Sequence, residues 1–499
     1  TGAKARTRVD VYAPAMGHGE AVEKVTRQRA EAMASRLIEA DHWRKGMSPG
    51  YPLGLNIVDN TSMYTSWEDM AIVLAGPRSG KSLCYAIPAG LSGPCLATSN
   101  KGDILDVTAP IRRLDHPNGE IWTFDPERIA DPNRKSAPWV WDLIASVQSI
   151  ADAKRIADCW RYASGQPQTG GDDFFPGTAA QQLADYLFAA HLGGRSVSDV
   201  FRWCSNERDT SPADILSEYP RYAGIASRVS SVIALTPETR SGVFGSLQTM
   251  VAFLADPEII DWIDPHRDTN GNIDERRGLF DPYEFATSED TLYLLSAQGR
   301  PSTALTASLT AVVAFTAFQR AQSEFTGNNR RLPVPLCCVL DEAANICRWP
   351  ELADVYSYFG SAGIPIMTIW QNPDQGRAAF GETNFGSLFN NANITVYLGG
   401  IKDAKFLGEI SQLVGQREIV RGSVNIDGTG RRSVNNSIQK ENILDVSDLT
   451  EWPVGRALLL ASQSRAQIVK TLPWTGNRQW ADALTQAKAK AREEQRKAA

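Results

Sequence analysis

The sequence predicts an α/β fold with a mainly parallel sheet, into which an all-α domain is inserted. Eight short apolar runs recur along the chain, and their apolar residues are continuous rather than alternating. Strands that are buried on both faces of a parallel sheet have this pattern. Between the third and the fourth run, residues 145–285 carry helical periodicity instead. The eight predicted strands are 71–74, 94–98, 121–124, 291–295, 336–340, 364–369, 394–398 and 457–460.

The segments around these strands complete the predicted domain order. Ala, Glu, Arg and Met at helical spacing over 16–45 predict one charged amphipathic helix before the core. The Gly, Ser, Asn and Arg residues of 421–440 predict a hairpin. The predicted segments are a helical lead-in (1–50), the first part of the core (51–144), the all-α insert (145–285), the second part of the core (286–475) and a charged helix or tail (476–499).

A loop rich in small residues follows the first strand and predicts a nucleotide site. In a strand–loop–helix of this kind, backbone N–H groups surround phosphate oxygens. Gly80 lets the backbone approach the phosphates, Lys81 offers a charge to the β- and γ-phosphates, and the Ser82 hydroxyl can coordinate Mg²⁺. An alanine begins the loop in place of the usual glycine, at a strand-to-loop junction where a methyl group is tolerated. The predicted loop is Ala75, Gly76, Pro77, Arg78, Ser79, Gly80, Lys81 and Ser82.

Two adjacent carboxylates end the fifth strand and supply the second half of the predicted site. We expect Asp341 to support Mg²⁺ and Glu342 to activate the attacking water. The same carboxylates could instead cap the helix that follows, because acidic residues favour a first helical turn. Gln371 ends the next strand, where it could couple loss of the γ-phosphate to movement or be a plain strand-end amide. ATP and Mg²⁺ are therefore the expected cofactors.

Composition leaves the partner open. The 499 residues carry a formal net charge of −6, so any basic patch that binds DNA would have to be local. The seven cysteines form no CxxC pair, which favours reduced thiols in a cytosolic setting. With no apolar run of about 18 residues and no signal peptide, we expect a soluble chain. It begins at Thr1 without an initiator Met, and we expect further residues upstream.

Several motifs in order resemble those of the conjugative coupling ATPases of type IV secretion systems, the TraG/TraD class. The resemblance runs from about residue 50 to 475. Besides the loop at 75–82, Gln371 and the acidic pair within Asp341-Glu-Ala-Ala-Asn345, it rests on Trp67-Glu-Asp69, Thr98-Ser-Asn-Lys-Gly-Asp103, Phe124-Asp-Pro126, Arg202-Trp203 and Pro453-Val-Gly-Arg-Ala-Leu458.

The resemblance implies a RecA-like P-loop NTPase domain, an all-α domain at the cytoplasmic entrance and a ring, usually hexameric, around DNA. It also implies an N-terminal anchor at the cytoplasmic face of the bacterial inner membrane, and partners that include a relaxase or another secreted protein and components of the secretion channel. No such anchor is visible in these 499 residues, so membrane association would come from unseen sequence or from a partner.

The resemblance further implies an arginine that reaches the ATP of a neighbouring subunit, and here the chain departs from the class. Residues 357–364 contain no arginine, where many relatives have one or two. Arg78, Arg377 and Arg417 are the remaining candidates, and each is also readily explained as a surface or structural charge. We therefore expect a weakly active monomer in isolation.

Three functions remain open on this sequence. The favoured one is an ATP-driven coupling protein that moves relaxase-bound DNA, or a protein substrate, into a secretion channel. A chromosome-segregation or helicase-like DNA translocase is the second. The third is an ATP-switched receptor that docks protein substrates through the helical insert without pumping DNA.

Overall fold

The computed structural model describes residues 7–40, 42–43, 47–86, 93–166, 173–265, 277–300, 302–426 and 432–498. Its strands are β1 (Pro52–Asn56), β2 (Ser62–Tyr64), β3 (Ala71–Leu74), β4 (Cys95–Ser99), β5 (Ile121–Phe124), β6 (Trp139–Trp141), β7 (Gly278–Phe280), β8 (Thr291–Leu295), β9 (Cys337–Leu340), β10 (Ile366–Trp370), β11 (Ile394–Tyr397), β12 (Gln416–Ile426), β13 (Arg432–Asn442), β14 (Arg456–Ala461) and β15 (Gln467–Lys470).

The α-helices cover both faces of the sheet and form the insert. They are α1 (Arg27–Leu37), α2 (Lys81–Cys84), α3 (Asp103–Asp115), α4 (Ile150–Ala163), α5 (Phe174–Leu192), α6 (Val197–Ser205), α7 (Ser211–Ser217), α8 (Ala223–Ile233), α9 (Pro237–Val251), α10 (Pro257–Ile263), α11 (Pro282–Phe285), α12 (Ser302–Ser323), α13 (Ala343–Ile346), α14 (Leu352–Val355), α15 (Pro373–Phe380), α16 (Glu382–Asn391), α17 (Ala404–Val414), α18 (Val446–Thr450) and α19 (Arg478–Ala498).

One large sheet organises the described residues, in the order β2-β1-β15-β14-β11-β3-β10-β9-β4-β8-β5. The strands from β11 to β5 pair in parallel, whereas β14, β15, β1 and β2 extend that core in antiparallel fashion. All eight predicted strands belong to this sheet, and most of their residues are buried, as expected for parallel strands between two helical layers.

The insert is helical, as predicted, from α4 to α10. Its predicted absence of strands is wrong at one place, because β7 near its end pairs in parallel with β6, which precedes it. Trp139 of β6 and Phe280 of β7 contact each other and Trp122 of β5. This aromatic contact joins the two ends of the insert to the edge of the main sheet, since large rings gain most from mutual burial.

The predicted single helix over 16–45 is also wrong. A 3₁₀ helix spans Gly19–Val25 and the α-helix begins only at Arg27. Between them, Thr26 has an extended backbone, its hydroxyl accepts a hydrogen bond from the Arg29 amide, and it forms an isolated β-bridge with Met63 of β2. Threonine is a favourable N-cap, and this local hydrogen bond competes with helix continuation.

The two remaining predicted elements are present. Strands β12 and β13 pair antiparallel through eleven register positions, from Gln416 opposite Asn442 to Ile426 opposite Arg432. The charged C-terminal segment is the helix α19, which packs against α3.

One described helix, α12, is long and apolar enough to cross a membrane by length and composition, and most of it is buried inside the protein. The helices Pro237–Ala255 and Pro257–Ile263 pass the same test only if they are taken together, and they are bent by 85°. An apolar helix at the centre of a folded core is buried in the same way as α12.

Candidate nucleotide site

Three adjacent strands of the sheet end at the candidate site. Strand β10 lies between β3 and β9 and pairs in parallel with both. Because the carboxyl ends of parallel strands meet at one edge, the loop after β3, Asp341 after β9 and Gln371 after β10 are brought together there. Ligands of open α/β sheets bind outside this edge.

The first residues of the loop continue the sheet. The Ala75 amide donates to the Trp370 carbonyl at 2.9 Å, and the Gly76 amide donates to the Gly399 carbonyl at 2.9 Å. Ala75 is fully buried, and its methyl group packs with the apolar side chains of the sheet. The replacement of the usual first glycine by alanine therefore leaves the path of the loop intact.

Gly76 has no room for a side chain. A Cβ atom at this position would lie 2.4 Å from the Gly400 carbonyl oxygen, a contact with backbone that cannot move aside cheaply. We expect Gly76→Ala to lower the free energy of unfolding by about 1–3 kcal/mol through overpacking. Urea unfolding measures the effect.

Gly245→Ala is the matched control for that substitution. Gly245 lies inside α9 with nothing within 4 Å of an added Cβ, so alanine there should be neutral or slightly stabilising. Equal stabilities of the two variants would contradict the close approach of Gly76 to Gly400.

The rest of the loop turns through left-handed backbone conformations. Arg78 has φ +60° and Gly80 has φ +93°, while the Ser79 hydroxyl donates to the Gly76 carbonyl at 2.7 Å. Glycine adopts such a φ without steric cost, and the non-glycine Arg78 stores local strain. The side chains of Pro77 and Arg78 are exposed at the tip of this turn, and Ser79 faces inward.

Lys81 joins the two halves of the site. Its Nζ donates to Asp341 Oδ1 at 2.8 Å and also to Glu342 Oε1. The two carboxylate side chains are almost completely buried, and 15% of the lysine side chain is exposed. Burial alone would lower the pKa of Lys81, but the charges and hydrogen bonds of Asp341 and Glu342 outweigh it and raise that pKa. The lysine is thus held as a cation.

Glu342 is held in place by three side chains. Besides Lys81, Gln371 Nε2 donates to its Oε1 at 2.6 Å, and Asn345 Nδ2 donates to its Oε2 at 2.9 Å. Burial raises its pKa, but the hydrogen bonds from Lys81, Gln371 and Asn345, with the lysine charge, lower it overall. The carboxylate therefore stays ionised and can accept a proton. Its backbone is left-handed, with φ +55°.

Asp341 differs from its neighbour in both environment and pKa. Burial is the dominant effect and raises its pKa, although Lys81 opposes this. The Thr98 hydroxyl of β4 donates to the Asp341 carbonyl at 2.8 Å and fixes the strand end from the other side.

The donor set fits the predicted metal. Ser82 and Asp341 supply oxygen donors only, which is the ligand chemistry that Mg²⁺ prefers, and Mg²⁺ usually keeps several waters. Within the described part of the chain, no three or more His, Cys, Asp or Glu side chains lie together in a way that could hold a metal ion.

Sequence reasoning missed Asn345 and Thr98 as parts of the site. Asn345 lies three residues after Glu342 on one short helical turn, and this spacing brings the two side chains together. That spacing was readable from the sequence. Thr98 acts from a different strand, so no local pattern indicates its contact with the Asp341 carbonyl.

The three arginines that could reach a neighbouring subunit's ATP differ in their surroundings. Arg377 contacts Asp374, Glu382 and Asp403, and Arg417 contacts Glu441, so both already have carboxylate partners. Arg78 is exposed at the loop itself.

Residues 357–364 contain no arginine, but an arginine from another part of the chain contacts this segment. Arg331 donates to the carbonyls of Gly360 and Ser361. It is almost fully buried, and burial lowers its pKa to about 10, so it is a structural contact rather than a group that reaches another subunit.

Comparison with known proteins finds one matching family model and several solved structures of similar fold. Residues 335–454 match the family model described as the TraM recognition site of TraD and TraG. This segment contains the acidic pair and Gln371. No curated protein sequence is significantly similar to the chain.

Solved structures of one coupling protein are similar over most of the chain. The unbound bacterial conjugative coupling protein TrwBdeltaN70 is 14% identical, with a TM-score of 0.54 over 92% of this chain and 96% of that one. TrwB in complex with the non-hydrolysable ATP analogue ADPNP is 13% identical (TM-score 0.53, 92% and 96% covered). TrwB with ADP and Mg²⁺ is 14% identical (0.52, 88% and 93%).

At these identities the likeness is one of fold. It confirms the predicted α/β class, with a mainly parallel sheet and a helical insert. The predicted resemblance to the TraG/TraD class is confirmed by the family match and by this fold.

Proposed function

We propose a function from the premise that residues 335–454 match the TraM recognition site of TraD and TraG and that most of the chain has the fold of a conjugative coupling protein. The chain is an ATPase that couples nucleotide hydrolysis to transfer of DNA, or of a protein substrate, into a type IV secretion channel. The observation that carries this proposal is the convergence of Lys81, Asp341, Glu342 and Gln371 at one edge of the sheet.

Binding begins with an exchange of partners at Lys81. In the structure its ammonium group neutralises Asp341 and Glu342. When ATP enters the loop, the lysine turns to the phosphates, and Asp341 and Ser82 would hold Mg²⁺. The metal, when bound, neutralises the charge that develops on the transferred phosphoryl group. TrwB, which shares the fold, has been solved with ADP and Mg²⁺ and with an ATP analogue.

Glu342 is the base of this reaction. Freed from Lys81, its ionised carboxylate accepts a proton from the attacking water, while Asn345 keeps the carboxylate oriented. Gln371 bonds to Glu342 in the structure, so any displacement of that carboxylate reaches the end of β10 and the helix α15 that follows.

The insert is linked to the site through the segment after the acidic pair. Arg155 of α4 contacts Glu351 at 3.0 Å, and Arg348 donates to the Tyr162 carbonyl at the end of α4. The Arg155 guanidinium also lies 3.5 Å from the ring centroid of Phe315 in α12. These contacts give a route by which nucleotide turnover moves the helical domain against its substrate.

The proposed partners are DNA, a relaxase or another secreted protein, and components of the secretion channel. The matched segment is named for recognition of TraM in TraD and TraG, and we assign docking of an accessory protein to the same region here. Function at the cytoplasmic face of the bacterial inner membrane belongs to the same proposal.

An ATPase assay with and without single- and double-stranded DNA, run across protein concentrations, tests the proposal. Stimulation by single-stranded DNA supports a conjugative pump, and stimulation only by duplex DNA favours the chromosome-segregation or helicase-like translocase. Slow turnover that ignores DNA, with tight binding of relaxase, favours the ATP-switched receptor. Absence of nucleotide binding would refute all three.

Assembly is expected to control the activity of this chain. Arg377 and Arg417 have partners within the chain, and the developing charge on the γ-phosphoryl needs a cation that a neighbour supplies. We expect a weakly active monomer at low micromolar concentration, and a rise in specific activity on DNA or forced clustering into a ring, a hexamer by resemblance. A flat specific activity over about a hundredfold concentration range, with no response to DNA, would contradict this.

Mixing experiments identify the arginine. A protein substituted at Arg78, Arg377 or Arg417 is mixed with the Lys81→Ala protein. ATPase activity is rescued only where a subunit with an intact loop lies beside a subunit with an intact arginine. Because Arg78 belongs to the loop itself, its loss should not be rescued unless it also acts across the interface.

A further inference from the structure

One carboxylate holds the loop between β8 and α12 in place. Glu127, which follows β5, accepts a hydrogen bond from the Ala297 amide at 2.9 Å and another from the Ser302 hydroxyl at 2.6 Å. Because Ser302 begins α12, Glu127 ties the two ends of the loop together. The hydroxyls of Ser296 and Ser302 also share a hydrogen bond of 2.6 Å. The path of this loop is therefore fixed by contacts within the chain.

Arg300 lies in this loop with a fixed backbone and an uncommitted side chain. Its amide donates to the Ala297 carbonyl at 3.2 Å, and its carbonyl accepts bonds from the amide and the hydroxyl of Thr303 at 3.2 and 2.8 Å. Gly299 before it has φ +73°, which glycine adopts without steric cost. The arginine side chain is exposed, and within the described residues its guanidinium makes no hydrogen bond, ion pair or ring contact.

The Arg300 loop lies at the same edge of the sheet as the nucleotide site, but away from that site. Strands β3, β10, β9, β4 and β8 pair in parallel in this order, so the loops after them leave the sheet at one edge. Two strand spacings separate β8 from β9 and four separate it from β3, which amount to about 10 and 19 Å. Both distances exceed the length of an arginine side chain. Arg300 is therefore placed to meet a nucleotide bound by another copy of the chain.

We propose that Arg300 is the arginine that reaches the ATP of a neighbouring copy of the chain. This inference rests on the proposed function, because it names the residue that completes the same site. A guanidinium group binds phosphate oxygens through two parallel hydrogen bonds. In phosphoryl transfer, charge spreads over those oxygens in the transition state, so a cation placed there accelerates the reaction more than it strengthens ATP binding.

Arg300 suits this role better than the three arginines that the sequence suggested. Arg377 and Arg417 would have to leave carboxylate partners within their own subunit. Arg78 belongs to the phosphate loop, on the side of the interface that holds the nucleotide. Arg300 has no such contact to lose, and its backbone is already ordered, so less free energy is spent when its side chain binds.

Arg300→Ala in the full chain tests the inference, with ATP hydrolysis measured on DNA or under forced clustering. We expect the rate at saturating ATP to fall by about 10³-fold, and calorimetric binding of a non-hydrolysable ATP analogue with Mg²⁺ to stay unchanged. Arg300→Lys should recover little of the rate, because an ammonium group cannot form the paired hydrogen bonds. Mixing Arg300→Ala with Lys81→Ala should restore hydrolysis, since an intact loop on one subunit then lies beside an intact arginine on the next.

Arg195→Ala is the matched control. Arg195 is also exposed and also follows a left-handed glycine, Gly194 with φ +59°, but it lies in the insert between α5 and α6, so its loss should leave hydrolysis as it is. A normal rate in Arg300→Ala, a loss of its nucleotide binding, or inactivity that Lys81→Ala does not rescue would each overturn the inference while the phosphate site stands. If the unmodified chain does not bind the ATP analogue, the proposed function fails, and the role of Arg300 fails with it.

Discussion

Lys81→Ala is expected to reduce ATP hydrolysis by about 10³-fold or more. The substitution removes the cation that faces the β- and γ-phosphates, and loss of one preorganised electrostatic group in such a site has an effect of this order. Nucleotide binding should weaken as well, because no other described lysine contacts the acidic pair. Steady-state phosphate release measures the loss.

The same substitution is expected to affect the stability of the fold as well as hydrolysis. The lysine is largely buried against Asp341 and Glu342, and its removal leaves two buried carboxylates without their counter-ion. Removing one partner of a buried ion pair costs about 3 kcal/mol.

That cost should depend on pH. Asp341 already has a raised pKa because of burial, and loss of Lys81 raises it further. A carboxylate with a pKa higher in the folded than in the unfolded state holds more protons when folded, so the variant should lose stability as pH rises through this range. Chemical unfolding of the variant at acidic and at neutral pH measures the trend.

Lys154→Ala is the control for both effects. Lys154 is 58% exposed on α4 and pairs with Asp158 at the surface, so its loss should alter neither hydrolysis nor the pH dependence of unfolding. Normal turnover by Lys81→Ala would refute the assignment of the phosphate loop.

Glu342→Gln is expected to preserve ATP binding and to reduce hydrolysis by about 10²-fold or more. The amide keeps the shape of the side chain and its contact with Lys81, but it cannot take a proton from water at neutral pH. Binding of ATP–Mg²⁺ by calorimetry and single-turnover hydrolysis separate the two steps.

Glu31→Gln provides the comparison. Glu31 lies in α1 with 47% of its side chain exposed and pairs with Arg27, so the change should leave both steps as they are. If Glu342→Gln loses binding while the rate per bound ATP stays normal, the roles of Asp341 and Glu342 are reversed.

The sequence alone predicted the parallel core and the two halves of the site. Continuous apolar runs such as Ala71–Leu74 are local signals, and so are a glycine-rich loop before Lys-Ser and two carboxylates at the end of an apolar strand. Each depends on residues within one short segment. Burial on both faces of a parallel sheet leaves the same pattern wherever the strand finally lies.

Only the tertiary structure decided how these segments meet. The end of the helix at Thr26, the pairing of β7 with β6 and the antiparallel strands beyond β11 depend on partners that are distant in the chain. The sequence contains Lys81, but its pairing with carboxylates 260 residues away requires the strand order β3-β10-β9. Side-chain contacts between distant segments leave no periodic trace in either one.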